Sequence, residues 1–468
     1  MGVILIKTYQ DLVKVGEDEQ RRMDFIMGCI NEHKSSPMYR MAVTAEEYAK
    51  RKNVTIMQYQ KLLYTISGKA VPDNYSANYK LRSNFFDRFV VQEVQYLLGN
   101  GVTWENEDTA VKLGNSFDNQ LQEAGKDALV EGVAFGFYNF DHIDVFKLSE
   151  FVPLWDEENG ALCAGIRFWQ IDPQKPMRAT LYELDGYTDY LWKDGKGALL
   201  ERDGKPIGKR AYIITATGDQ KDREDNTVIY DGANYPTFPI VPLWGNPHRQ
   251  SELEGLREQI DCYDLIKSGF ADTVDEASYV YWTIQNAGGM DDIDLMQFVE
   301  RMKTIHAARS GGDGGTEARA EAHTLEVPYA SREALLTRLE KDLYKDAMAL
   351  NTQDIASGAV TATQILAAYE PLNAKTDQFE YCILEFINGL LAVAGIEDSP
   401  TFTRSKIVNV AEEIQVLTAA ASYLGDDYVT RKALELFGDG DKAEDILKQI
   451  DETSMERFGG DDNDTDNP

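Results

Sequence analysis

The sequence predicts an α+β fold, mainly helical, with its strands gathered into one stretch of the chain. Three observations carry this reading. Leu256, Ile260, Tyr263, Lys267, Phe270, Val274 and Ala277 follow one another at alternating four- and three-residue steps, the spacing of one face of a long helix that packs along a neighbour. Leu336, Leu339, Leu343 and Leu350 repeat that spacing further on. Between Gly132 and Val241 the period falls to two: VAFGFYNF, AGIRFWQI, RATLYELDGYTDYLWK and RAYIITATG alternate aromatic or β-branched residues with polar ones, as half-buried strands do.

Taken in order, residues 8–66 read as polar helices, with Thr44 and Glu47 as the capping box of the helix TAEEYAKR. Residues 80–99 and 115–132 read as amphipathic helices. Glu158-Asn159-Gly160, Lys193-Asp194-Gly195 and Asp203-Gly204 are turn signals that make the strand region an antiparallel sheet. Asn246-Pro247 closes it, because the residue before a proline is pushed out of the helical region. Ser251, with Glu254 three residues on, then predicts a helix start near 251.

From Tyr279 to Pro328 the pattern is mixed: YVYWTIQNAGG is strand-like, DDIDLMQFVERMKTIHAAR helical, and SGGDGGTEARAEAHTLEV a flexible glycine-rich turn leading to a short strand. No Lys-Ser or Lys-Thr follows the glycines at 311–315, so they are not a phosphate loop. A second long helix is expected from Ser331 to Leu350, about 30 Å of helix at roughly 1.5 Å per residue. Arg338, Lys341 and Lys345 lie off its apolar seam, and Arg338 with Asp342 has the spacing of an ordinary solvated helix-face pair. The stretch Asn351–Thr361 has one charge, Asp354, and no bulky aromatic; Gly358 is free to adopt unusual backbone angles. It is longer than a turn between helices needs. Pro371, inside the helical pattern 362–394, predicts a kink near Ala367–Tyr369. Residues 409–468 are helical and acidic, with sixteen Asp or Glu against five Lys or Arg. The closing GGDDNDTDNP lacks the glycine and glutamate positions of a calcium loop.

Composition bounds the function. A chain of 468 residues exceeds what one core supports, so two or three substructures are expected. With 47 Lys or Arg against 79 Asp or Glu, the net charge of −32 excludes a broad surface that grips a DNA duplex. An acidic surface suits solubility, or a repulsive sheath along which a polyanion slides. Cys29, Cys163, Cys262 and Cys382 are far apart, so neither a zinc site nor a disulfide framework is indicated and folding in a reducing cytosol is expected. No apolar run reaches the roughly 18 to 20 residues of a membrane span. The opening MGVILIKTYQ shows no cleavage site, and no myristoylation signal. No Walker A lysine, HExxH or GxSxG occurs, and His33, His142, His248, His306 and His323 are scattered. No catalytic residue, metal site or cofactor is therefore expected.

The string Pro239, Ile240, Val241, Pro242, Leu243, Asn246, Ser251, Leu253, Glu254, Leu256, Ile260, Asp261, Tyr263, Asp264 and Ser268 resembles the portal, or head-to-tail connector, proteins of long-tailed bacteriophages. Tyr96-Leu97-Leu98-Gly99, closing the helix in residues 80–102, and Ala356-Ser357-Gly358 followed by Thr363-Gln364-Ile365-Leu366 and Tyr369 are similar to the same family in the same order, covering about residues 50 to 455. The resemblance implies a β-rich wing (1–250), a stem hairpin (helices 251–278 and 329–350), a small α/β clip (279–328), a tunnel loop (351–361), a kinked long helix returning to the wing (362–408), a helical crown (409–455) and an acidic tail (456–468).

The implied stem residues are Leu256, Ile260, Tyr263, Lys267, Phe270, Leu336, Leu339, Lys341, Leu343 and Lys345, with the seams read as surfaces between subunits and the lysines as charges facing the channel. Implied tunnel-loop residues are Asn351, Thr352, Gln353, Asp354, Ile355, Ala356, Ser357, Gly358, Ala359, Val360 and Thr361. Asp291, Asp292, Asp294 and Glu300 are the implied docking residues of the clip. The expected function is a homo-oligomeric ring, usually a dodecamer in the family, at one capsid vertex of the virion, assembled in the host cytoplasm. Double-stranded DNA is packaged and ejected through it without sequence-specific binding. Expected partners are the terminase large subunit, head-completion and tail adaptor proteins, and the major capsid and scaffolding proteins, with no membrane. Another capsid or tail-ring protein, or a metal-dependent nuclease built from dispersed acids, are the alternatives.

Overall fold

The computed structural model describes residues 7–65, 68–74, 76–214, 219–222, 227–277, 281–285, 319–323, 328–353, 362–405, 410–421 and 423–437, with single helical positions between 293 and 300 and between 443 and 448.

Four helices open the chain: α1 (Tyr9–Val15), α2 (Glu19–Ser35), α3 (Pro37–Ala49) and α4 (Val54–Gln58). The expected cap at Thr44 is not used. Ser36 caps α3 by accepting from the Tyr39 amide, and Pro37 at the first helical position pre-sets the backbone. Thr44 therefore falls inside the helix, where its hydroxyl donates back to the Arg40 carbonyl. The all-helical reading of 8–66 also fails at its end: β1 (Leu62–Tyr64) and β2 (Ala70–Pro72) pair as an antiparallel hairpin. Next come α5 (Phe85–Leu98), β3 (Val102–Thr103), α6 (Glu107–Leu113) and α7 (Phe117–Glu131). Helix α5 starts five residues later than its pattern suggests, because Tyr79–Ser83 is held extended against another helix. Gly132, at φ +93°, turns the chain out of α7 in the left-handed conformation glycine favours.

The strand region forms two sheets. β4 (Val133–Asn139), β5 (His142–Lys147) and β15 (Ile240–Trp244) make an antiparallel sheet in the order β15-β4-β5. The larger sheet contains β6 (Phe151–Trp155), β7 (Leu162–Trp169), β8 (Met177–Glu183), β9 (Gly186–Lys193), β10 (Lys196–Leu199), β11 (Glu201–Arg202), β12 (Lys205–Arg210), β13 (Asp219–Asp222) and β14 (Val228–Asp231). It is antiparallel except where β12 pairs parallel with β14. The predicted turns stand where expected: Asp194-Gly195 (φ 52° and 76°) and Asp203-Gly204 (φ 55° and 77°) both place two positive-φ residues at the tip of a hairpin.

The remaining elements are α8 (Arg257–Ala277), β16 (Tyr281–Gln285), β17 (Arg319–His323), α9 (Tyr329–Asp346), α10 (Ala362–Ala394), β18 (Thr401–Phe402), α11 (Val410–Ala420) and α12 (Asp426–Phe437). Helix α10 is continuous through Pro371. β16 pairs antiparallel with β17, and β18 with β3.

The main core lies where α5, α7 and α10 pack on the three-stranded sheet, around Phe86, Phe89, Leu97, Leu121, Leu129, Phe135, Ile240, Leu243, Phe379, Ile383 and Phe386. Close approach is possible only because side chains are missing at two points. A Cβ on Gly136 would stand 2.5 Å from the Phe386 ring, and one on Gly389 2.6 Å from Val241. A run of rings, Phe146, Tyr182, Tyr187 and Tyr212 at centroid spacings of 5.7–6.1 Å, joins this core to the large sheet. Helices α1 and α2 cover the other part of that sheet, burying Leu12, Ile26 and Ile30 against Leu154, Ile166, Leu181 and Tyr190.

Candidate functional site: a clamped helix pair and the segment it leads into

Helices α8 and α9 lie antiparallel. At one end the Gln259 amide donates to Asp346 (2.6 Å); at the other the Phe270 and Tyr329 rings meet edge to face at 5.6 Å, and Arg332 donates to the Gly269 carbonyl (3.1 Å) and the Thr273 hydroxyl (2.7 Å). At roughly 1.5 Å per residue, the 21 residues of α8 span about 31 Å. β16 and β17, just beyond the open end of the pair, hold the chain together there.

The start of α8 differs from the expectation at Ser251. Gly255 adopts φ +85°, which no α-helix allows, so the regular helix begins only at Arg257. Ser251 spends its hydroxyl elsewhere, donating to the Val130 carbonyl (2.6 Å) and accepting from the Leu253 amide.

The predicted seam residues divide in two. Leu256, just ahead of α8, together with Ile260 and Leu343, is enclosed in the core of its own chain. These three are therefore not surfaces between subunits: α5, which places Phe85 and Phe89 against Tyr344 and Tyr263, already covers that end of the pair. Tyr263, Lys267, Phe270, Leu336 and Leu339 are half-buried, with the Lys267 ammonium 5.7 Å from the Tyr263 ring centre. Lys341 and Lys345 are exposed, and the Arg338–Asp342 pair at 2.9 Å is an exposed i, i+4 contact on the helix face.

Sequence reasoning missed a second stripe on α8. Asp261, Asp264, Ser268 and Asp272 follow at three- and four-residue steps on the face turned from α9, and the last three are almost fully buried. Each receives donors from the strap of residues 48–83. Tyr48 and Thr55 donate to Asp261; Asn53 and the Ser83 amide (2.8 Å) donate to Asp264; the Leu81 amide donates to Ser268 (3.0 Å) and the Tyr79 amide to Asp272 (2.7 Å). Lys61 adds an ion pair to Asp272 at 3.0 Å and one to Glu276 at 3.3 Å. Burial pushes the Asp264 carboxyl up, against the Asn53 and Ser83 hydrogen bonds that favour its charged form. The helix is thus clamped along its length by residues 48–83.

The chain leaving α9 runs directly into 351–361; Leu350, just before that stretch, and Tyr369, in the helix after it, are both held on α5. Gln92 exchanges two hydrogen bonds with the Leu350 backbone, at 2.9 and 3.0 Å, while Tyr96 stacks on Tyr369 at 5.6 Å. Leu350, Tyr369, Leu372 and Tyr96 form a small core of their own. Asn351 accepts from the Gln353 amide, and Thr352 and Gln353 are helical. Asp354 to Thr361 lie outside the described residues, as do Asp291, Asp292 and Asp294 and the glycines at 311–315; Glu300 is helical and exposed.

One buried charge cluster ties these parts together. The Lys375 ammonium of α10 is 2.8 Å from Glu93 of α5 and 2.8 Å from Glu252. Burial works against the Lys375 charge, but the two carboxylates override it and hold the ammonium well above its ordinary pKa. Burial raises Glu93 to about 7, opposed by Lys375 and reinforced by Glu252. Among the described residues no group of His, Cys, Asp and Glu is arranged to hold a metal ion, and no helix is long and apolar enough to cross a membrane.

Residues 45–457 match the family described as phage portal protein, SPP1 Gp6-like. This chain belongs to that family, and so to the portal proteins of phage head–tail connectors. It is 24% identical over 391 residues to the portal protein of Clostridium phage phiCD119, covering 76% of this chain and 81% of that one. It is 24% identical over 425 residues to the portal protein of Bacillus phage SPP1, covering 84% and 79%. Among solved structures, the neck of an empty gene transfer agent particle aligns over 76% of this chain and 90% of its own, at 12% identity and a TM-score of 0.43.

Proposed function

We propose that this chain is the repeating subunit of a ring at one capsid vertex, through whose central channel double-stranded DNA is packaged and later ejected. The α8–α9 pair is the stem, the β16–β17 end is the clip that docks the terminase and then the head-completion proteins, and 351–361 narrows the channel. The observation that carries this is the way the antiparallel pair delivers the chain into 351–361 while α5 holds Leu350 before it and Tyr369 in the helix after it. The half-buried Leu336 and Leu339, with Leu335 46% exposed beside them, are the seam left for a neighbouring subunit. The charge of −32 supports a sliding surface in preference to a gripping one.

Packaging assays with purified capsids, motor and DNA at two ionic strengths test this. Asp354→Lys replaces a repulsive group with an attractive one at every copy of the constriction, so packaging is expected to slow, and more at low salt than at high salt. Gly358→Val restricts the backbone without changing charge, so its slowing is expected to be independent of salt. Unaltered packaging by both variants places the constriction elsewhere.

A further inference from the structure

The β1–β2 hairpin is one of three isolated two-stranded sheets among the described residues, and its side chains are largely exposed. A lone two-stranded hairpin is marginal in water, and both of its edges are open here. Its strand register sets Leu62 opposite Pro72 and Tyr64 opposite Ala70, so one face is wholly apolar. That face is uncovered by its own chain: Leu62 is 50% exposed and Tyr64 74%, and on the other face Leu63 is 41% exposed. Tyr59 and Tyr79, at the hairpin's base, are also exposed.

The base itself is firmly placed. Lys61 is held on Asp272 and Glu276 of α8, and the Tyr79 amide on Asp272, so the hairpin is carried sideways from the helix pair. Residues 50–82 contain seven Lys or Arg and one Asp. Lys50, Arg51, Lys52 and Lys61 pair with Glu46, Asp87, Glu47 and Asp272 of the same chain, so the outward positive charge near the hairpin is that of Lys69 and Arg82, in a chain of −32. Exposed Lys69 stands just before β2, and exposed Arg82 lies between the strap contacts of Leu81 and Ser83.

We propose that this hairpin is an assembly arm that docks on the acidic surface of a second copy of the chain. Apolar Leu62 and Tyr64 supply the buried contact, and exposed Lys69 and Arg82 favour an acidic partner, which every other copy, at −32, provides. The arm thereby links each stem laterally to the next. This rests on the ring reading above and adds which segment makes the contact.

The test incorporates p-benzoylphenylalanine at Tyr64 in the full-length protein, which is mixed before assembly with an equal amount of 15N-labelled wild type. Electron micrographs and photo-cross-linking are recorded on the same sample. The expected result is rings in which cross-linked peptides join residue 64 of one isotope to a peptide of the other isotope. Rings with cross-links confined to one isotope overturn the arm while the ring stands; absence of rings in the wild type overturns the ring and the arm with it. Cross-linking to added duplex DNA in preference to protein also overturns the arm, since Lys69 and Arg82 would then be phosphate contacts.

As a second readout, Leu62→Ser with Tyr64→Ser and, separately, Lys69→Glu remove exposed groups that belong to none of the three cores. An unchanged thermal transition of the isolated subunit is expected. Assembly is expected to need at least tenfold more subunit, and the Lys69→Glu deficit to shrink as salt is raised. Assembly at wild-type concentration by both variants contradicts the proposal.

Discussion

Replacing Lys375 with Met is expected to cost about 3 to 5 kcal/mol of folding stability, the usual penalty for removing one partner of a buried ion pair. The ammonium stands 2.8 Å from both Glu93 and Glu252, and the Glu93 side chain is only 2% exposed. Without it two carboxylates share one enclosed site, and burial is no longer opposed. The pH dependence follows. Glu93 already has its folded pKa raised from 4.5 to about 7, so its contribution is complete below 4.5 and is lost as pH rises through 7. In Lys375→Met the folded pKa climbs further, and the loss extends above pH 7. Adding Glu93→Gln to Lys375→Met is expected to recover part of the stability at neutral pH. Urea denaturation at pH 5, 7 and 8.5 measures all of this. A cost below about 1 kcal/mol at pH 7 would show that the cluster is solvated and does not tie α5 to α10.

Asp264→Ala is expected to free the strap from α8. The carboxylate is fully buried and accepts from the Ser83 amide and the Asn53 side chain; its removal leaves the Ser83 amide unpaired, at about 1 to 3 kcal/mol, and leaves Asn53 only its bond to the Ser83 carbonyl. Hydrogen exchange at the Tyr79, Leu81 and Ser83 amides should accelerate by tenfold or more, and proteolysis should open between residues 59 and 83. Protection at those amides equal to wild type would mean that Ser268 and Asp272 hold the strap without Asp264.

The apolar seam of α8 was legible from its four-and-three spacing, and so was the sheet region from its alternation and its Asp-Gly turns. The same spacing could not say who covers the seam. Leu343 and Leu339 carry the same pattern, yet Leu343 is buried by its own chain through Tyr344 and α5 while Leu339 is only half-covered. The Ser251–Glu254 spacing is a real capping signal, but Gly255, whose positive φ breaks the turn, moves the regular helix start to Arg257. Asp261, Asp264, Ser268 and Asp272 do form a visible stripe. Their partners, however, lie some 180 to 215 residues earlier, in a segment whose local pattern says nothing of α8. The hairpin escaped notice because three-residue strands are too short to show alternation.

The central claim is that this chain assembles into a closed ring around an open channel. Negative-stain electron microscopy of the purified full-length protein tests it most directly. The account predicts end-on views with a stain-filled hole wide enough for a DNA duplex, and side views with a narrow stem below a broader wing. Monodisperse compact monomers, or rings with no central hole, at concentrations where related portals assemble would contradict it.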